Sequence, residues 1–275
     1  MKSSTAFVLA LIAFIVFQLF VIGGGLMYMI EKWHNVYLCD KNIFEDERET
    51  FFQFPAIDLD RPSLADVAQC ARLGYLRECH QLEMPLGYQM IWASSDPVCG
   101  FVVRTRDDDM MVIFRGTWNL QEIGRNWNYG LVKSTCTNLE GRVHRGYHSG
   151  LLTVRSSLHE VLREARRVLF TGHSMGAVYA SIAAIDWATS NPEKQAELIG
   201  FGSARCGDKE FSEHQPANLR GTLVFNTGDV AGTWPPCKDY QHLTWAEKVY
   251  ITYELGTMGQ NHSSRSYVGE LLRRR

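Results

Sequence analysis

The chain opens with one uninterrupted apolar segment. Residues 6–30 contain no charged side chain and a single amide, Gln18. At about 1.5 Å of rise per residue, a helix of this length crosses a bilayer core of about 30 Å. We therefore predict a transmembrane signal anchor at residues 1–30, with a cleaved signal peptide and secretion as the alternative. Lys2 before the segment favours a single-pass protein whose body lies outside the cytosol.

After this segment, short apolar runs typical of buried strands alternate with amphipathic helical repeats. Residues 31–61 are predicted to be a juxtamembrane linker that becomes ordered against the body, and residues 62–275 to be one domain. Strands are predicted at 88–92, 100–105, 110–114, 168–171, 198–201 and 222–225, and helices at the stretches that begin at 63, 151 and 174. Residues 107–109 are predicted to form a hairpin turn, and residues 118–142 a loop. The alternation predicts an α/β fold with a mostly parallel central sheet covered on both faces.

Composition and spacing exclude several classes of function. The formal net charge of −2 gives no overall basic field, so no nucleic-acid partner is expected. None of the seven cysteines forms a Cys-x-x-Cys pair, which gives no support for structural zinc or dithiol chemistry. His144 and His148 are four residues apart without an evident third ligand, so no metal is predicted. Phosphate-binding and dinucleotide-binding loops are missing from the sequence, and no cofactor is expected.

The segment Gly172-His173-Ser174-Met175-Gly176 carries the clearest chemical signal. It lies between a predicted strand and a helix of small residues, where a tight turn exposes a serine at the carboxyl edge of the sheet. Such a turn brings backbone segments so close together that only glycine fits at the flanking positions. The helix that follows directs free N–H groups towards developing negative charge. Ser174 is therefore the candidate nucleophile.

A serine hydroxyl needs a base and an acid that orients the base. In strand–turn–helix hydrolases the acid and then the histidine follow the serine along the chain. Asp229 comes directly after the strand predicted near residue 225 and is the candidate acid. His262, in a predicted polar loop, is the candidate base, and His242 is the alternative.

Several blocks in this order resemble the class 3 lipase family, the fungal-type triacylglycerol lipases and their plant and animal relatives. The similar blocks span roughly residues 85–270 and stand at 112–117, 143–147, 171–176, 201–207, 226–236 and 262–267. The resemblance implies an α/β-hydrolase fold, preceded here by the N-terminal transmembrane helix.

The resemblance also implies roles for single residues. Ser174 attacks an ester carbonyl, His262 transfers the proton, and Asp229 orients His262. Thr117 and the backbone N–H of Met175 form the oxyanion hole. The family's lid corresponds to residues 118–127, where Trp118, Leu120, Ile123 and Trp127 would face lipid; ordinary core packing is the alternative for these four side chains.

Three departures from the family pattern stand out. Gly130 occupies the position assigned to an aspartate that supports the oxyanion region in many relatives, and Ala204 replaces a proline. The connections from Gly146 to Gly172 and from Asp229 to His262 are shorter than in the fungal enzymes. The shape of the substrate pocket therefore cannot be inferred from the fungal enzymes.

The expected activity is hydrolysis of carboxylic esters of lipids, acylglycerols or phospholipids, through an acyl-enzyme. The expected partners are a lipid ester substrate and, through the N-terminal helix, a membrane. Two alternatives remain: a catalytically silent relative that binds lipid or a protein, and an esterase or acyltransferase acting on non-lipid esters. The intact serine, acid and histidine favour the first expectation over the silent one.

Overall fold

The structure is a computed structural model that describes residues 52–76, 82–95, 98–105, 109–117, 120–135, 141–252 and 258–275. The predicted signal anchor at residues 1–30 and most of the predicted linker lie outside these ranges. Within them, no helix has both the length and the apolarity needed to span a bilayer. The anchor and the domain boundaries therefore stay predictions.

Strands and helices alternate along most of the described chain. The strands are β1 (Phe52–Gln53), β2 (Leu82–Glu83), β3 (Gln89–Ser94), β4 (Gly100–Arg104), β5 (Met110–Phe114), β6 (Leu131–Lys133), β7 (Arg142–His144), β8 (Arg167–His173), β9 (Gln195–Phe201), β10 (Leu219–Asn226) and β11 (Glu247–Ile251). The helices are α1 (Leu64–Leu73), α2 (Leu120–Trp127), α3 (Arg145–Val161), α4 (Met175–Ser190), α5 (Lys209–Glu213), α6 (Met258–His262) and α7 (Ser264–Arg273), with a 3₁₀ helix at Val230–Thr233.

Seven of these strands form one central sheet in the order β11-β10-β9-β8-β5-β4-β3. The five strands from β11 to β5 pair in parallel, whereas β3, β4 and β5 pair antiparallel at the other end of the sheet. The prediction of a mostly parallel sheet is confirmed. Parallel strands share one carboxyl edge, and that edge is where ligand sites form in open α/β sheets.

Both faces of the sheet are covered by helices, which explains the continuous apolar runs in its strands. In β5, Met110, Val112 and Phe114 pack in the core beneath α3 and α4. The intervening Met111 and Ile113 pack in a second core with α1 and α7. Because side chains alternate across a strand, a strand buried on both faces carries an apolar residue at every position.

Two predictions for the middle of the chain are wrong. Residues 118–142 were expected to be a loop, but they contain α2 and β6. The expectation fails because α2 is held by charge as well as by apolar contacts: the buried Glu122 pairs with Arg115 at 2.5 Å. In addition, α3 begins at Arg145 instead of residue 151, because the His144 side chain caps its amino terminus.

β11 and α7, in the last third of the described chain, were not predicted from the sequence. β11 lies at the edge of the sheet, where Glu247, Lys248 and Tyr250 are exposed. Because these residues are exposed, the strand lacks the run of apolar residues by which the buried strands were predicted. α7 buries Tyr267, Val268 and other residues of one face against α1. Residues 107 and 108 of the hairpin turn predicted at 107–109 lie outside the described residues, although the flanking strands pair antiparallel as a hairpin requires.

The half-buried His242 makes the stability of the fold depend on pH. His242 lies edge-on to the Phe225 ring, with 4.8 Å between ring centroids, and its Nε2–H donates to the Gly232 carbonyl at 2.6 Å. Burial lowers the pKa of His242 from 6.5 to about 4, although the bond to Gly232 opposes this shift. Between these two pH values the unfolded chain binds the proton and the folded chain does not. Stability from this residue is therefore full above about pH 6.5 and is lost as the pH falls towards 4.

We expect His242→Gln to make unfolding less sensitive to acid, because glutamine keeps an N–H donor and does not titrate. Between pH 7 and pH 5, wild type should lose about 1–2 kcal/mol more unfolding free energy than the variant, measured by urea titration. His214→Gln is the matched control, because it makes the same substitution at an exposed histidine. Equal pH slopes for wild type and His242→Gln would contradict the assignment.

Candidate active site

Ser174 lies at the turn that joins β8 to α4, at the carboxyl edge of the sheet. Its φ of 58° and ψ of −125° place it in backbone space that side-chain-bearing residues rarely adopt. The flanking glycines allow the turn to close. A Cβ atom on Gly172 would lie 2.4 Å from the Gly176 carbonyl carbon, and a Cβ on Gly176 would lie 2.2 Å from the Phe114 oxygen. Neither position can hold a larger residue without moving backbone.

The structure brings Ser174, His262 and Asp229 into one hydrogen-bonded chain. The Ser174 hydroxyl lies 2.8 Å from His262 Nε2, and His262 Nδ1 lies 2.7 Å from Asp229 Oδ2. A carboxylate only accepts hydrogen bonds, so the proton of the neutral imidazole sits on Nδ1. Nε2 is then free to accept the serine hydroxyl. All three side chains are largely buried.

The Asp229 carboxylate receives two further donors. Oδ1 accepts from the Ala231 N–H at 2.8 Å, and Oδ2 accepts from the Tyr267 hydroxyl at 2.7 Å. Burial by itself raises the pKa of Asp229, but His262 and these hydrogen bonds outweigh it and hold that pKa below its usual value. Asp229 is therefore ionised at neutral pH. Tyr267 lies in the block at 262–267 that resembles the family, but its contact with Asp229 was not expected from the sequence.

The position of His262 next to Asp229 is also fixed by hydrogen bonds to its neighbour Asn261. His262 was expected in a polar loop, but it is the last residue of α6. The Asn226 side chain donates to the Asn261 carbonyl at 2.8 Å, and the Asn261 side chain donates to the Gly228 carbonyl at 3.2 Å. These bonds join the acid loop to the residue beside His262. They leave no apolar periodicity, which explains why the short helix was missed.

Two groups beside Ser174 can bind an oxyanion. Met175 is the first residue of α4, so its N–H is not used by the helix and lies at the positive end of the helix dipole. Thr117 follows Gly116, whose Cβ position lies 2.7 Å from the His173 carbonyl oxygen, so this loop packs directly on the serine turn. The Thr117 hydroxyl accepts a hydrogen bond from Asn126 Nδ2 at 2.9 Å and keeps its own hydrogen available.

The Thr117 hydroxyl is supported from α2. Gly130, which stands where many relatives have an aspartate, packs against the Arg145 side chain, and the Arg145 Cζ lies 2.9 Å from the Cβ position of Gly130. Asn126, in α2, contacts the Thr117 hydroxyl instead. It was overlooked because α2 was interpreted as a loop, where spacing gives no guide to contacts.

The four residues proposed for the lid are described unevenly. Trp118 lies outside the described residues, and Leu120 and Ile123 belong to α2 without a described side chain. Trp127 lies edge-on to Trp234, with 5.1 Å between ring centroids. The buried Arg115–Glu122 pair connects α2 to the strand end before Thr117. A lid role for α2 stays a proposal.

The remaining histidines have other contacts. His242, the alternative base, bonds to Gly232, and it is His262 that reaches Ser174. His173 pairs through Nδ1 with the Tyr75 hydroxyl at 2.8 Å, and burial lowers its pKa to about 3. His148 accepts from the Thr135 N–H at 3.1 Å, while His144 caps α3. Across the described part of the chain, no three histidine, cysteine, aspartate or glutamate side chains are grouped as metal ligands would be.

Sequence comparison finds a matching family model and several curated relatives. The family model described as Lipase (class 3) matches residues 111–239. Phospholipase A1-II 1 of Oryza sativa subsp. indica is 26% identical over 180 residues, which cover 52% of this chain and 46% of the rice protein. Phospholipase A1-IIgamma of Arabidopsis thaliana is 25% identical over 187 residues, covering 53% and 45%. The chain thus spans less than half the length of these curated relatives.

Solved structures show the same fold. The lipase from Rhizopus microsporus var. chinensis superposes with a TM-score of 0.58 at 18% identity, covering 76% of this chain and 84% of that one. The mono- and diacylglycerol lipase from Aspergillus oryzae superposes with a TM-score of 0.53 at 22% identity, covering 62% of this chain and 66% of the Aspergillus protein. The α/β-hydrolase fold implied by the resemblance is therefore confirmed for the body of the chain.

The matched segment contains most of β5, residues 115–117, the turn at Ser174 and Asp229, whereas His262 lies beyond it. Residues 111–239 therefore match the class 3 lipase family, and the plant relatives and the shared fold agree with that match.

Proposed function

We propose that this protein is a serine hydrolase that cleaves carboxylic esters of lipids. One observation carries the proposal: the hydrogen-bonded chain from Ser174 through His262 to Asp229, with contacts of 2.8 and 2.7 Å, at a strained turn. Positive φ at a serine is kept only where the surrounding packing enforces it, and such strain concentrates at functional sites.

In the first half of the reaction, the Ser174 oxygen attacks the ester carbonyl while its proton moves to His262 Nε2. The buried Asp229 carboxylate stabilises the imidazolium that forms. Negative charge develops on the former carbonyl oxygen, where the Met175 N–H and the Thr117 hydroxyl and N–H donate to it. Collapse of this intermediate breaks the ester C–O bond, and His262 returns the proton to the leaving alcohol.

In the second half, water repeats the sequence on the acyl-enzyme. His262 takes a proton from water as the water oxygen attacks the acyl carbonyl, and the same donors hold the oxyanion. The acyl C–O bond to Ser174 then breaks, the serine oxygen regains a proton from His262, and a carboxylic acid is released. Each group returns to its starting protonation state.

Lipid is the proposed source of the ester. The rice and Arabidopsis relatives are named phospholipases A1, and the Aspergillus neighbour is a mono- and diacylglycerol lipase. The apolar segment at residues 1–30 adds a second argument, because an anchor raises the local concentration of membrane-borne substrate. We propose that acylglycerols or phospholipids fill the site, and that α2 opens as a lid over it.

We expect Ser174→Ala to abolish fatty-acid release from emulsions of mixed acylglycerols and phospholipids, with a loss on the order of 10³-fold or more. The assay uses the full chain, with product lipids identified by mass spectrometry. Ser157→Ala is the matched control, because Ser157 is exposed on α3 and should keep wild-type activity. If the folded wild type and Ser174→Ala release equally little fatty acid, the result favours the alternative of a catalytically silent relative that binds lipid or a protein.

Tyr267→Phe removes one of the donors to the Asp229 carboxylate without changing the shape of the ring. A hydrogen bond to a buried charge is among the stronger kind, so we expect kcat to fall about 10-fold with KM within about twofold. Tyr250→Phe serves as the control, because Tyr250 is exposed on β11. An unchanged kcat in Tyr267→Phe would show that the Tyr267 hydroxyl does not contribute to the reaction.

We further propose that residues 1–30 anchor the protein in a membrane with the catalytic domain outside the cytosol. In cells that express the full chain, the protein should stay with membranes after alkaline carbonate extraction, and added protease should reach the domain in intact cells or sealed vesicles of matching orientation. Replacing Phe14 and Phe17 with lysine should release it, because charged residues are costly at the bilayer centre. A soluble wild type of reduced length would favour the cleaved signal peptide.

A further inference from the structure

His144 is fully buried, and its hydrogen bonds determine which of its nitrogens carries the proton. Nδ1 lies 3.2 Å from the Gly146 N–H and 3.4 Å from the Tyr147 N–H, both of which donate to it at the start of α3. A nitrogen that accepts two backbone donors has no hydrogen of its own. The proton is therefore on Nε2, which is a donor.

The Nε2–H of His144 donates to the backbone carbonyl of Asn126 at 3.3 Å. The indole N–H of Trp234 donates to the same carbonyl at 3.4 Å. The close approach of the two chain segments is built into the backbone, because the Cβ position of Gly146 lies 2.1 Å from the neighbouring Arg125 oxygen. The backbone carbonyl of Asn126 is thus held by two donors, while the side-chain amide of Asn126 lies 2.9 Å from the Thr117 hydroxyl.

The rings around His144 hold it in this orientation. The Tyr147 ring stacks on it with 3.9 Å between centroids and 26° between planes, and the Tyr240 ring meets it edge-on at 5.8 Å. Rotation of the imidazole would break both its bond to Asn126 and its capping of α3. A hydrogen bond that is directional at both ends of a fixed ring transmits position better than a flexible side chain could.

We propose that His144 is a positioning residue of the oxyanion hole, acting through the Asn126 peptide and the Asn126 amide on the hydroxyl of Thr117. With the Asn126 amide as donor, the Thr117 hydroxyl accepts on one side and presents its hydrogen to the oxyanion. The proposal rests on the proposed function, because it needs Thr117 to bind the tetrahedral intermediate. It is separate from the capping of α3, which uses the other ring nitrogen.

Two substitutions separate these two roles. In His144→Asn the side-chain oxygen takes the place of Nδ1 and keeps the helix cap, but the side chain is too short to reach the Asn126 carbonyl. In His144→Gln the terminal amide takes the place of Nε2 and keeps the donor to Asn126, but the cap is lost. The readouts are thermal unfolding and steady-state hydrolysis of p-nitrophenyl butyrate by the full chain.

We expect His144→Asn to unfold near the wild-type temperature with kcat about 10-fold lower and KM within about twofold, a smaller loss than removal of an oxyanion donor. His144→Gln should unfold earlier and keep kcat within about twofold to threefold. If kcat follows stability in both variants, His144 is only structural and the proposal fails. If His144→Asn does not fold, His144→Gln provides the test. A kcat close to that of wild type in this less stable variant supports the proposal, whereas a kcat that falls together with stability contradicts it.

A double-mutant cycle with Thr117→Val tests the path itself. In the Thr117→Val background, His144→Asn should lower kcat by less than about twofold, because the hydroxyl it positions is gone. A repeated loss of about 10-fold in that background would overturn the proposal. Failure of the proposed function would look different: wild type and Ser174→Ala would then hydrolyse the ester at the same rate.

Discussion

The left-handed backbone at Ser174 is the constraint on which the site depends. It exists because Gly172 and Gly176 let β8, the start of α4 and the end of β5 approach to distances that no Cβ would allow. That packing places the serine at the carboxyl edge of the sheet and puts the first N–H of α4 beside it. The strain is balanced by the two cores on either side of the sheet, which hold the strand and the helix in place.

The other two members of the proposed triad reach this turn from segments far apart in sequence, and each has its own support. Asp229 is held by Ala231 and Tyr267, and His262 by the contacts between the acid loop and Asn261. On the opposite side, residues 115–117, which carry the proposed oxyanion donor Thr117, are tied to α2 through the Arg115–Glu122 ion pair and through Asn126. In serine hydrolases, donors that are held in place in advance do not have to reorient during the reaction, and this lowers its barrier.

The central sheet and the serine turn could be predicted from the sequence because strands buried on both faces, such as β5 and β8, carry apolar residues at every position. Asp229 and His262 could be chosen by their order after Ser174. The contacts of Asn126, His144 and Tyr267 could not, because hydrogen bonds between distant side chains leave no periodicity. α6 was missed for the same reason, and β11 was missed because an edge strand has a polar pattern.

The central claim is that Ser174 is an activated nucleophile. The most direct measurement is labelling of the full chain with a fluorophosphonate, which forms a P–O bond to an activated serine and releases fluoride, followed by mass spectrometry of the peptides. The account predicts one adduct, on Ser174, that disappears in His262→Ala. Absence of an adduct in folded wild type, or labelling at another serine that His262→Ala leaves intact, would contradict it.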